Sequence, residues 1–87
     1  MKKRKNEVLL FEKLYKTYEQ KIYFCAYGVI QNKEQAEDIT QDIFEKLYQD
    51  KKVWQDYDTT HLTQYILRIT KNKAVDLYRR NNTQIKY

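Results

Sequence analysis

An 87-residue chain with one glycine and no proline has few ways to turn sharply. Hairpin turns and many helix stops draw on these two residues. Their scarcity favours long helices joined by few connections. The length supports one compact core and not two, because small domains bury only about 60% of the surface of the unfolded chain. With 41% hydrophobic and 33% charged residues, the composition is that of a folded globular chain and not a disordered one. The expected fold class is all-α: an antiparallel bundle of three, or four, helices.

Apolar spacing places the helices. From about residue 7 to 30, Phe11, Leu14, Tyr15, Tyr18, Ile22, Cys25, Ala26, Val29 and Ile30 recur every three or four positions, predicting a long first helix. Asn32 is a good N-cap, and Gln35 three residues on gives a variant of the capping box, so a second helix is expected from there to about Tyr48. Its buried stripe is Ala36, Ile39, Ile43 and Leu47, with Phe44 at the edge. A third helix is expected to start after Thr59 or Thr60 and run to about Arg80, burying Leu62, Tyr65, Ile66, Ile69 and Leu77. The nine tyrosines mostly follow these stripes and read as core residues with wet hydroxyls. Residues 50–60 form a polar loop carrying Trp54, Asp56 and Tyr57, and loops of that length often carry function. The expected organisation is a basic extension over residues 1–9, one domain over 10–82, and a tail or linker over 83–87.

Several function classes fall away. The basic run Lys2–Lys5 resembles the start of a signal peptide, but Glu7, Glu12 and Lys13 break the apolar continuation such a peptide needs. No stretch approaches the roughly 20 apolar residues that span a bilayer. Cys25 is the only cysteine, which leaves no internal disulfide and no zinc spacing and makes the cytoplasm the expected compartment. His61 is the only histidine, no glycine-rich loop could cradle a phosphate, and no nucleophile stands beside a base. The chain is therefore expected not to be an enzyme and to need no metal or other cofactor.

Charge is sorted by helix. The formal charge is +5, yet residues 34–50 hold six acids and one base, a net of −5. Glu34, Glu37, Asp38, Asp42 and Glu45, with polar Gln41, fall opposite the apolar stripe. The helix dipole rewards an acid in the first turn by about 0.3–1 kcal/mol. It does not reach Asp42 or Glu45, where like-charge neighbours cost about 0.2–0.5 kcal/mol per pair. A docking face for a basic partner and a plainly solvated face both remain open on charge alone. Residues 61–80 carry five bases against one acid, a net of +4. Arg68, Lys71, Asn72, Val75 and Arg79 line one face, followed by Arg80. Cations for phosphates with an amide among them make up a nucleic-acid-reading helix. The C-terminal helix dipole would account for Arg79 and Arg80, but not for Arg68 or Lys71. Asp76 is expected on the apolar side beside Lys73, holding a neighbouring base in place. In the loop, Trp54 and Tyr57 could stack on unpaired bases, at about 1–3 kcal/mol per base, although Trp54 is better suited to pinning the loop onto the bundle.

The segment Ala36-Glu37-Asp38-Ile39-Thr40-Gln41-Asp42-Ile43-Phe44 resembles the polymerase-binding helix of region two in the extracytoplasmic-function sigma factors. The segment Tyr65-Ile66-Leu67-Arg68-Ile69-Thr70-Lys71-Asn72, with Ala74-Val75-Asp76 and Arg79-Arg80 after it, resembles the promoter-recognition helix of the same region. The two motifs stand in the family order with a loop of suitable length between them, over about residues 10–82. Tyr65 replaces a tryptophan common in the family and keeps an aromatic ring there. The resemblance implies that Asp38 and Gln41 contact the beta-prime clamp helices of RNA polymerase core. It also implies that Asn72, Arg79 and Arg80 face the promoter minus-ten element, with residues 50–57 near melted DNA. Around these, Glu37, Asp42 and Glu45 extend the polymerase-binding set, and Arg68, Lys71 and Val75 the DNA-binding set. A monomer is expected, with no membrane partner, and an anti-sigma factor is a further partner that such a family allows. Nothing resembles region four, the domain that reads the minus-thirty-five element, so the chain is expected to be either a domain excised from a longer protein, which its end just past the recognition helix favours, or a natural fragment without independent promoter choice. The competing reading is a helical interaction module that binds a regulator through its acidic face and does not recognise DNA.

Overall fold

The computed structural model describes residues 2–56 and 58–86, with the side chains of residues 8–52, 54, 55 and 58–82. It contains three long helices and one short one: α1 (Lys2–Ile30), α2 (Lys33–Gln49), α3 (Lys51–Asp56) and α4 (Thr59–Lys86). The chain is thus an all-α bundle, as the scarcity of glycine and proline requires. Its single glycine, Gly28, lies within α1 and turns nothing.

Each long helix contributes one row of side chains to a common core. From α1 come Leu14, Tyr18, Ile22, Ala26 and Ile30, each four residues from the last. From α2 come Ala36, Ile39, Ile43, Phe44 and Leu47, and from α4 Leu62, Ile66 and Ala74. Two threonines join them. Thr70 is fully buried and Thr40 nearly so, and their hydroxyls donate to the carbonyls of Ile66 at 2.7 Å and Ala36 at 2.8 Å. Bonding to the carbonyl one turn back lets a hydroxyl enter an apolar core without an unmet donor. The stripes read from spacing are present, but that reading omitted Thr40, Thr70 and Ala74. The tyrosines depart further from expectation: Tyr18 is buried, while Tyr15, Tyr27, Tyr48 and Tyr78 are exposed.

Contacts between helices fix their directions. Phe11 of α1 meets Phe44 and Tyr48 of α2, with ring centroids 6.3 and 5.3 Å apart, and Tyr15 meets Phe44 at 4.3 Å. The start of α1 therefore lies against the end of α2, and the two are antiparallel. Asn81 donates to Gln35 at 3.1 Å and Lys73 reaches Asp42 at 3.5 Å, so α2 and α4 are antiparallel as well. Helices α1 and α4 run the same way. Tyr18 and Thr63 share a 2.6 Å hydrogen bond, and further along the Cys25 thiol donates to the Leu67 carbonyl at 3.9 Å.

The ends show how local chemistry sets the bounds. Only Gln31 and Asn32 separate α1 from α2. Gln31 takes a left-handed conformation, φ 52°, a position more often filled by glycine. Asn32 is extended and its side chain accepts from the Gln35 backbone N–H at 2.9 Å, which makes it the expected N-cap. The return half of the capping box is diverted, because the Gln35 side chain accepts from Asn81 instead. The cap of α4 is Asp58, not Thr59 or Thr60: it accepts from the His61 N–H at 2.8 Å, and its carbonyl accepts from Leu62. At the far end α4 continues past Arg80 through Asn81 and Asn82 to Lys86, where spacing alone had ended it. Nothing after Arg80 is a glycine or proline to stop it.

Candidate functional site

The connection from α2 to α4 is not a loop throughout. After Asp50, whose N–H caps α2 on the Lys46 carbonyl at 3.0 Å, residues 51–56 form α3. Trp54 is buried, its ring 5.9 Å from that of Phe11, and its Nε1–H donates to the Leu47 carbonyl at 2.8 Å. That carbonyl belongs to the last turn of α2 and has no partner within the helix. Trp54 thus closes the end of α2 and anchors the connection, with little of its ring open to solvent. The Asp56 side chain and all of Tyr57 lie outside the described residues.

The α2 surface away from the core carries the acids. Glu34, Glu37, Asp38, Gln41, Asp42 and Glu45 are all exposed. Their spacing follows from the burial of Ala36, Ile39, Ile43 and Leu47 on the other side. On α4, Arg68, Lys71, Asn72, Arg79 and Arg80 are exposed and Val75 is half-buried. The Arg68 guanidinium lies over the Tyr65 ring, 5.7 Å from its centroid, which orients it before any ligand arrives.

The two faces meet along the α2–α4 seam. The Lys73 ammonium approaches the Asp42 carboxylate at 3.5 Å with both side chains about half exposed, so the contact contributes at most about 1 kcal/mol. It corrects the expectation for Asp76, which is exposed rather than set toward the apolar side, and the acid that Lys73 meets is on α2. Spacing within one helix could not show that partner.

Among the described residues three titratable groups depart from their ordinary values. Hydrogen bonding to Glu19, with burial, raises the Tyr15 phenol above 10.0. Burial raises the Cys25 thiol above 9.0, partly offset by the charge of Lys71. The His61 backbone N–H, then its ring, lowers the Asp58 carboxyl below 3.8. His61 is itself a surface residue of the α4 cap. Among the described residues no group of three His, Cys, Asp or Glu side chains is placed to hold a metal ion. No described helix is long and apolar enough to cross a membrane.

The bundle with its acid-bearing second helix and base-bearing last helix agrees with a family profile, Sigma-70 region 2, that matches residues 14–84. The chain belongs to the sigma-70 region 2 family. A search of curated proteins and one of solved structures gave no match. The match takes in most of α1, all of α2 and α3, and nearly all of α4, so both charged faces lie on a sigma region 2 domain. Membership carries a sigma-factor function in transcription initiation, and domains of this family bind RNA polymerase core and promoter DNA. It is not a family of enzymes.

Proposed function

We propose that this sigma region 2 domain belongs to a sigma factor of the extracytoplasmic-function type, docking on polymerase core through α2 and holding the minus-ten element through α4. The observation that carries the reading is the separation of opposite charge onto two adjoining helices of one bundle. Glu37, Asp38, Gln41, Asp42 and Glu45 face the beta-prime clamp helices, with Asp38 and Gln41 making the central contacts. Arg68, Lys71, Arg79 and Arg80 neutralise phosphates, while Asn72 and Val75 meet base edges or faces. Asp56 and Tyr57 stand near the melted strand, on a connection held in place by Trp54. Extruding a base costs a few kcal/mol, so the domain favours a strand already opened. No covalent step is involved. The domain works in the cytoplasm as a monomer and is open to control by an anti-sigma factor.

The five bases of residues 61–80 set a ceiling for DNA binding: on a single strand, log affinity falls against log salt with a slope no steeper than about −3.5. Tethering by polymerase raises the effective concentration of the strand and supplies the remainder. The test is co-elution of the 87-residue chain with purified core polymerase, wild type beside Asp38→Lys with Gln41→Ala. Removing one partner from a desolvated charge pair costs about 2–5 kcal/mol, enough to abolish co-elution while circular dichroism stays unchanged. Wild-type chain that is folded yet never co-elutes, and that ignores a minus-ten strand, would leave a helical module for some other regulator.

A further inference from the structure

The seam between α2 and α4 holds a contact that neither helix accounts for alone. Lys73 of α4 meets Asp42 of α2 at 3.5 Å, longer than the roughly 2.7–2.9 Å of a charge-assisted hydrogen bond, and both side chains are about half exposed. A cleft of about 320 Å³ opens at this point, with Asp42, Glu45 and Lys46 on one side and Ile69 and Lys73 on the other. The two charges are therefore loosely held, with room to turn away from one another. Lys46 stands four residues after Asp42, the spacing at which an acid and a base on one helix attract, so Asp42 keeps a cation nearby when Lys73 leaves.

Lys73 has a second anion within its reach whenever a strand lies along α4. It follows the exposed Lys71 and Asn72 and stands seven residues, or about 10 Å of helix, before Arg80, so it shares a flank of α4 with that base. A lysine is a flexible point charge with three donors, able to turn from a carboxylate to a phosphate without movement of the backbone. Beside Asp42 its charge is cancelled locally, and a phosphate that approaches is attracted by the lysine and repelled by the acid.

We infer, resting on the proposed roles of α2 and α4, that Lys73 is a phosphate-binding residue held in check by Asp42, and that neutralising Asp42 releases it onto the nucleic-acid backbone. A cation of a partner docked on the acidic face supplies that neutralisation, so occupation of α2 tightens the grip of α4 on a strand. The coupling is reciprocal: a phosphate that takes Lys73 leaves Asp42 more available to the partner. Its size is bounded by the strength of this half-exposed ion pair, at most about fivefold in affinity.

The experiment measures binding of the full chain to a short single-stranded DNA of mixed sequence, by fluorescence anisotropy, between about 0.05 and 0.2 M salt. Mixed sequence suffices because phosphate contacts carry no sequence information. The variants are Asp42→Asn, Lys73→Gln, the two combined, and Glu12→Gln, which removes an exposed acid from α1 instead. Asp42→Asn should bind up to about fivefold tighter, and its log affinity should fall with log salt more steeply by about 0.7, the contribution of one added phosphate contact. Lys73→Gln should leave that slope unchanged in the otherwise wild-type chain and cancel the gain in Asp42→Asn. Glu12→Gln should leave the slope unchanged. An Asp42→Asn gain no larger than that of Glu12→Gln, or one that persists in the double variant, would overturn the masking of Lys73 and leave DNA binding by α4 standing. No binding by any of these chains at the lowest salt, each shown folded by circular dichroism, would overturn both.

Discussion

Replacing Trp54 by phenylalanine isolates what holds α3 to the bundle. Phenylalanine keeps an aromatic ring near Phe11 but removes the Nε1–H that meets the Leu47 carbonyl at 2.8 Å. That carbonyl lies in the last turn of α2 beneath a buried ring, and a buried acceptor left unmet costs about 1–3 kcal/mol. In a domain of this size 1 kcal/mol corresponds to about 4–8 °C, so the melting temperature should fall by about 4–24 °C. Trp54→Ala also removes the ring, at about 3–5 kcal/mol. That is a large share of the roughly 5–15 kcal/mol by which domains are stable, and the melting temperature of this variant should fall by about 12–40 °C. Tyr48→Ala is the control: its ring also meets Phe11, but it is exposed and holds no buried hydrogen bond to the end of α2, so it should cost no more than about 1.5 kcal/mol. Thermal unfolding followed by far-UV circular dichroism measures all three. Trp54→Phe melting within about 2 °C of wild type would show that the bond does not secure α3, and Trp54 would return as a candidate for stacking on DNA.

Two further outcomes test the helix caps. Asn32→Ala should cost about 1 kcal/mol, seen as a lower urea midpoint with an unchanged slope, because the Gln35 N–H loses its acceptor. A midpoint equal to that of wild type would mean that water replaces the cap. Asp58 gives a dependence on pH whose sign follows from its lowered value. The carboxylate's contribution is fully present above the ordinary 3.8 and is lost as pH falls through the lower folded value. Asp58→Asn, which keeps a capping side chain without its titration, should flatten the stability curve below pH 3.8. Curves that stay parallel in that range would refute the cap as the cause.

The bundle was legible in the sequence because burial enforces three- and four-residue spacing, and few turn residues were present to break it. Both charged faces were legible for the same reason, being what each helix leaves outside its stripe. What escaped depends on contacts between distant residues. Nothing near Gln35 or in the two asparagines after Arg80 shows that Asn81 of α4 bonds Gln35 of α2, 46 positions away. Lys73 and Asp42 are likewise 31 positions apart. The six-residue α3 is too short for periodicity to reveal. Its one signal was Trp54, a large apolar ring in a polar stretch, which favoured anchoring over stacking. The excess of exposed tyrosines was invisible because phenol rings fit a helix stripe whether or not a neighbouring helix covers it.

The link of Gln31 and Asn32 has a consequence for the rate and cost of assembly. Two residues leave α1 and α2 no slack, and one of them is held in a left-handed conformation while the other is bonded to the next helix. At that end the two helices are held close together, so the surface they share near the link has little room to spread. Such a surface loses little of its own freedom on association, so the ordering cost falls mainly on the partner.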